Sequence, residues 1–252
     1  MTDLSMTDFA STWWGLIVGG FSLVPAPAIG ALQLAAILGS AVALSLPAAS
    51  WRYFGLFVTT VHELGHAVAA LVSLQRVSGI ELRFNHSGVT MTRGRGGWRA
   101  VWTAFWGYPV PALVGVALVG AAVSGAASVA LSLGALVLLA LVFLIRNLQG
   151  FVVAGLLVGL STALVWYAGP QLTGYAALST GVALLVGAVK DWFKVTRVHL
   201  RSRAELASSD AYLLAQRSGV PAVVWLGLFA CVIGACLAGA AGFLYSAVSL
   251  SP

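Results

Sequence analysis

Two of only 4 His and one of only 3 Glu in this 252-residue chain stand together in Val61-His62-Glu63-Leu64-Gly65-His66-Ala67, a His-Glu-x-x-His pattern. Random placement would produce it roughly once in a thousand such chains. On a helix of about 3.6 residues per turn, positions i and i+4 stack on one face, so His62 and His66 can aim both imidazoles at one ion. That is half of a tetrahedral zinc site, and Glu63, turned about 100° away, suits a general base better than a third ligand. Two buried histidines bonded to neighbouring helices are the structural alternative, which leaves the intervening Glu63 without a purpose.

Zinc that does chemistry needs a third protein ligand, and the remaining candidates are few. Asp191 is the choice, because it sits at the end of an apolar run and acids at membrane level are usually functional. Its structural alternative is a pair with Lys194 or a charge exposed at the interface. Asp210 follows Ser208-Ser209 and precedes Ala211-Tyr212-Leu213-Leu214, the pattern of a helix N-cap, so capping is preferred to ligation there. Asp3 and Asp8 have no neighbouring ligand motif, and Glu81, Glu205, His86 and His199 fall in polar stretches, His86 as a turn residue.

The elements that must carry this site are membrane helices. The sequence is 60% hydrophobic and 8% charged, far below the quarter or so of charged residues in soluble domains. Apolar runs near 20 residues recur, the length an α-helix needs to cross about 30 Å of hydrocarbon. The expected spans are 28–46, 54–74 with the His-Glu-x-x-His motif, 100–123, 126–145, 151–168, 172–189 and 221–244, with 9–24 as a possible eighth. This is an all-α polytopic membrane protein of seven or eight transmembrane helices in one integral membrane domain, 1–252. Asp3 and Asp8 in place of a basic leader argue against a removable signal peptide. Cys231 and Cys236 lie in the last apolar run and read as packing residues.

Between the second and third spans, Ile80-Glu81-Leu82-Arg83-Phe84-Asn85 and Val89-Thr90-Met91-Thr92 alternate apolar and polar residues around His86-Ser87-Gly88, which predicts a β-hairpin over 77–93. The net charge of +6 lies in short stretches between spans, a topology signal that argues against a nucleic-acid partner. Under the positive-inside rule the hairpin, with Arg93, Arg95 and Arg99 beside it, and the 190–217 loop, with Lys194, Arg197, Arg201, Arg203 and Arg217, are cytoplasmic. Arg52 is then the one cation of 13 on the outer side. The free edge of the hairpin could take a peptide as an added strand.

These motifs together resemble the site-2 protease family of intramembrane zinc metalloproteases, in its divergent branch found in bacteria and plants. The resemblance rests on His62-Glu63-Leu64-Gly65-His66-Ala67 followed by the hairpin. It extends through Gly88-Val89-Thr90-Met91-Thr92-Arg93-Gly94, Gly107-Tyr108-Pro109-Val110-Pro111-Ala112-Leu113, Arg146-Asn147, and Ser209-Asp210-Ala211 ahead of Gly219-Val220-Pro221. It implies a zinc-dependent endopeptidase of the bacterial inner (plasma) membrane that cleaves transmembrane protein substrates, with Zn2+ on His62 and His66, Glu63 as catalytic base, and Asn147 holding a freed backbone group of the substrate. The family pattern of Asn, Pro and Asp-Gly, whose Asp is the third ligand, is here Asn147-Leu148-Gln149-Gly150. Either Asp191 or Asp210 then takes the ligand role, or the site binds metal weakly or not at all. A non-proteolytic scaffold or metal-handling carrier that keeps the fold is the alternative.

Overall fold

The computed structural model describes residues 6–94, 96–201, 206 and 209–249, so Asp3, Arg95, Arg203, Glu205 and Ser208 lie outside the described residues. The chain runs α1 (Met6–Gly20), α2 (Ala31–Ser45), α3 (Ala48–Val72), β1 (Arg76–Leu82), β2 (Gly88–Arg93), α4 (Trp98–Phe105), α5 (Pro109–Val123), α6 (Ala127–Val142), α7 (Leu148–Tyr167), α8 (Gly169–Arg201), α9 (Asp210–Ser218) and α10 (Ala222–Ser249). Among the described residues α3, α7, α8 and α10 are long and apolar enough to cross a membrane, and α4 with α5 makes a fifth if the bent pair is one span. The expected spans 28–46 and 126–145 appear as the shorter apolar helices α2 and α6, of 15 and 16 residues.

Two of the expected spans differ from expectation for local reasons. The span expected over 100–123 is broken at 106–108 and bent by 52°, because Pro109 at the first position of α5 starts a new helix where it has no N–H to offer. The span expected over 172–189 continues to Arg201, a helix of 33 residues, since Lys, Arg and His in a last turn suit a helix C-terminus as well as a loop. The expected 190–217 loop is thus helical at both ends.

α8 is the spine, packed most extensively against α5 and α2. Gly115 and Gly181 bring α5 and α8 so close that a Cβ on either would stand 2.7 Å from the other's carbonyl oxygen, the small-residue contact typical of helices in lipid.

The hairpin forms as the alternation predicted, antiparallel with Ile80 opposite Thr90 and Leu82 opposite Gly88. Its position is not at one end of the bundle. It folds back along α3, so that the tip residue His86 bonds through Nε2 to the Arg52 carbonyl at 3.1 Å. Lys190, assigned to the opposite side from Arg52 by the charge count, lies 3.8 Å above the Trp51 ring and donates to the Ser45 carbonyl at 2.9 Å. Lys190 is in the body of α8, where its ammonium is held by a ring face and a carbonyl.

The outer edge of β1 is occupied. Ile80 N–H donates to the Leu144 carbonyl at 2.8 Å and Arg146 N–H to the Ile80 carbonyl at 2.9 Å, a short parallel pairing through Ile145. With Ile80 and Leu82 turned toward 144–147, their β2 partners Thr90 and Gly88 direct their own N–H and C=O away from β1. The free edge of the sheet is β2.

Candidate metal centre

α3 carries His62 and His66 one turn apart, as the spacing requires, and their Nε2 atoms are 3.1 Å from each other. Asp210 at the start of α9 closes the group, with Oδ2 3.1 Å from His62 Nε2 and 3.2 Å from His66 Nε2. Three potential donor atoms thus form a nearly equilateral triangle. A tetrahedral zinc ion with bonds near 2.0–2.1 Å separates its ligand atoms by about 3.3 Å, so the triangle fits that ion closely.

The surroundings select the same chemistry. His66 Nδ1 lies 2.8 Å from the Thr103 carbonyl, which assigns the proton to Nδ1 and leaves the Nε2 lone pair facing the triangle. Thr103 is itself tied down, because Gln75, just past the end of α3, donates through Nε2 to its hydroxyl at 2.6 Å and to the Arg99 carbonyl at 2.9 Å. Gly107, in the break between α4 and α5, faces both imidazoles. A Cβ there would stand 2.5 Å from His66 Nε2 and 2.6 Å from His62 Nε2, so glycine leaves open the space beside the donors. Tyr108 sets its ring edge-on to His62 with centroids 4.8 Å apart and stacks on Phe229 of α10. Burial pushes the Asp210 carboxyl up, but whenever the His66 and His62 imidazoles carry a proton on the Nε2 side as well, their charge and hydrogen bonds outweigh that and hold it well below the usual carboxylate range.

Glu63 points to the hairpin side of α3 and is 5% exposed. Thr90 of β2 donates its hydroxyl to Glu63 Oε2 at 2.6 Å. Gly88, two residues earlier on the same strand, lets the carboxylate pass: a Cβ there would stand 2.5 Å from Glu63 Oε1. Hairpin and motif helix are thus fitted to each other through one buried acid, which is hydrogen-bonded as a buried acid must be.

Of the residues singled out in the sequence, His62 and His66 come together with their Nε2 atoms 3.1 Å apart, whereas the Glu63 carboxylate meets Thr90 and Gly88 of the hairpin. Asp191 does not join the donor group, which consists of His62, His66 and Asp210; it follows Lys190 within α8. Asp210 proves to be the first residue of α9, with Ser209 before it as the N-cap, so its carboxylate is free to face the imidazoles. The Ser209-Asp210-Ala211 motif was the signal for it, obscured by its likeness to a helix start. Asn147 stands at the N-cap of α7 and bonds the hairpin. Its amide donates to the Leu82 carbonyl at 2.6 Å and accepts from the Leu82 N–H at 3.1 Å, continuing the pairing of 144–146 along β1. It is a clamp on the hairpin.

A family model described as Peptidase M50B-like matches residues 34–240. No match was found among curated proteins or among solved structures.

Proposed function

The chain belongs to the Peptidase M50B-like, site-2 protease family, and from that premise we propose that it is a zinc-dependent intramembrane endopeptidase that hydrolyses peptide bonds of membrane-embedded substrate helices. The observation that carries the reading is the triangle of His62 Nε2, His66 Nε2 and Asp210 Oδ2, with sides of 3.1 to 3.2 Å, beside a buried glutamate. The family and the apolar helices point to an integral membrane protein, and the family's chemistry needs a metal. His62, His66 and Asp210 would hold it. Zinc, when bound, acts as a Lewis acid that polarises a carbonyl and makes water nucleophilic near neutral pH.

The remaining work falls to the protein. Glu63 takes the proton of the attacking water and delivers it to the leaving amine. Thr90 holds Oε2, so the carboxylate is fixed with Oε1 as the free oxygen. A helical substrate hides its peptide bonds and has to unwind, and a backbone freed in a lipid environment needs hydrogen-bond partners. The free edge of β2 at Gly88 and Thr90 offers them, as an added strand, on the residues that contact Glu63. The unpaired edge and the base are therefore two sides of one strand. Asn147 supports this surface indirectly by anchoring β1.

The alternative of a scaffold or metal carrier drew its support from the missing Asp-Gly, and Asp210 now offers the acid that motif would have supplied. Its test is cleavage of a transmembrane substrate in reconstituted vesicles. Glu63→Gln is expected to retain metal and lose activity by about 10²-fold or more. Full activity in that variant would remove Glu63 from the chemistry, and no cleavage by metal-loaded wild type of any membrane-embedded peptide would favour the scaffold.

A further inference from the structure

A second concave feature lies away from the metal centre. A cavity of about 540 Å3 opens between α4 and the corner where α9 meets α10, within the range of small-molecule sites. Its apolar wall is largely aromatic, with Trp98, Trp102 and Phe105 from α4 and Trp225 from α10, and among its lining residues Arg217 is the single charge. Arg217 donates through Nη1 to the Ala100 carbonyl at 3.2 Å across the groove. That contact fixes the guanidinium between α9 and α4 and leaves its other N–H groups for an anion. Ser218 offers no such donor, because its hydroxyl donates to the Leu214 carbonyl at 2.6 Å and accepts from Trp225 Nε1 at 3.3 Å. The Arg99 guanidinium lies 5.8 Å from the centre of the ring of Trp98, an exposed wall residue, and adds a second cation beside the aromatic wall.

An aromatic slot with one cationic end is the complement of an amphiphile with an anionic head, and tryptophan favours the depth where lipid headgroups meet acyl chains. We propose that this groove seats an anionic phospholipid of the surrounding bilayer, its phosphate on Arg217 and one acyl chain along the indoles. α9 carries Arg217 in its last turn and Asp210 in its first, about 10 Å apart along the axis, and α4 carries the Thr103 carbonyl that holds His66. A lipid bridging the two helices therefore clamps α9, and with it Asp210, onto the centre. This last consequence rests on the proposed role of Asp210, whereas the lipid site does not.

The test uses the full chain, stripped of metal by chelation, in micelles doped with phosphatidylglycerol or phosphatidylcholine brominated in the acyl chains. Phosphatidylglycerol should quench a saturable part of the tryptophan fluorescence that phosphatidylcholine does not, and Arg217→Gln should weaken that step by about tenfold. Amide exchange over 210–218 should slow on adding phosphatidylglycerol in the wild type and stay unchanged in Arg217→Gln. Should that variant fail to fold, Leu228→Trp, which fills the groove from the α10 side, must abolish the same lipid preference. Equal quenching by the two lipids, or an Arg217→Gln curve that overlays the wild type, overturns the proposal. So does quenching that follows protein concentration and not lipid fraction, which would make the groove a self-association face. Because metal is absent throughout, failure here leaves the metal reading untouched, and lipid binding does not depend on it.

Discussion

His62 and His66 were legible because a helix converts a spacing of four into a shared face. Asp210 was harder to read, since Ser208-Ser209-Asp210 before an apolar run looks the same whether the acid caps its own helix or reaches another. Thr103 left no trace at all, because it acts through a backbone carbonyl that every residue carries. Two substitutions separate the roles at this scale. Gly107→Ala puts a methyl group 2.5 to 2.6 Å from the two Nε2 atoms, so it should lower zinc content below half of wild type while far-UV circular dichroism stays unchanged. Thr90→Val removes the hydroxyl on Glu63 and leaves the donors intact. It should keep zinc at the wild-type level and lower kcat about tenfold, the loss expected when a hydrogen bond to a charged group is removed. Zinc loss in Thr90→Val would mean that Glu63 and the triangle are not separable.

The hairpin shows how far alternation carries an argument about elements. It identified both strands and the turn, because a half-buried sheet requires period two. It could not say that the strands run back along α3, which is decided by contacts of His86, Thr90 and Gly88 with residues of another element. The break between α4 and α5 was encoded in Gly107-Tyr108-Pro109, yet the absence of charge over 100–123 read as one continuous span. The two bonds of Asn147 to Leu82 join α7 to β1, and Asn147→Ala should destabilise the hairpin by about 1–2 kcal/mol. Amide exchange at residues 80–82 should quicken, with zinc content unchanged. If exchange there does not change while substrate affinity falls, the amide serves the substrate directly, as the family resemblance had implied.

For the whole molecule, composition was enough to identify a helical membrane protein, because 8% charged residues cannot cover a soluble surface of this size. The spine was not legible. Cations at 190, 194, 197 and 201 looked like a loop, whereas α8 carries them as a helix that extends beyond the length of a span. The close approach of Gly115 and Gly181 makes the α5–α8 contact sensitive to volume. Gly181→Val should cost about 1–3 kcal/mol by overpacking and lower the thermal midpoint in detergent. Because α5 follows directly on the break that carries Gly107 and Tyr108, the same variant should also weaken zinc retention on mild heating, and a stable, zinc-replete Gly181→Val protein would show that the spine does not support the centre.

The proposed chemistry depends on one set of donors, so the most direct measurement is the zinc stoichiometry of the purified chain after equilibration with buffered zinc. One ion per chain is expected in the wild type and in Glu63→Gln. Asp210→Asn and His66→Ala should lose it, and Asp191→Asn should keep it. Zinc retained by Asp210→Asn and lost by Asp191→Asn would contradict the triangle of His62, His66 and Asp210, and a wild-type chain without zinc would contradict the metallopeptidase itself.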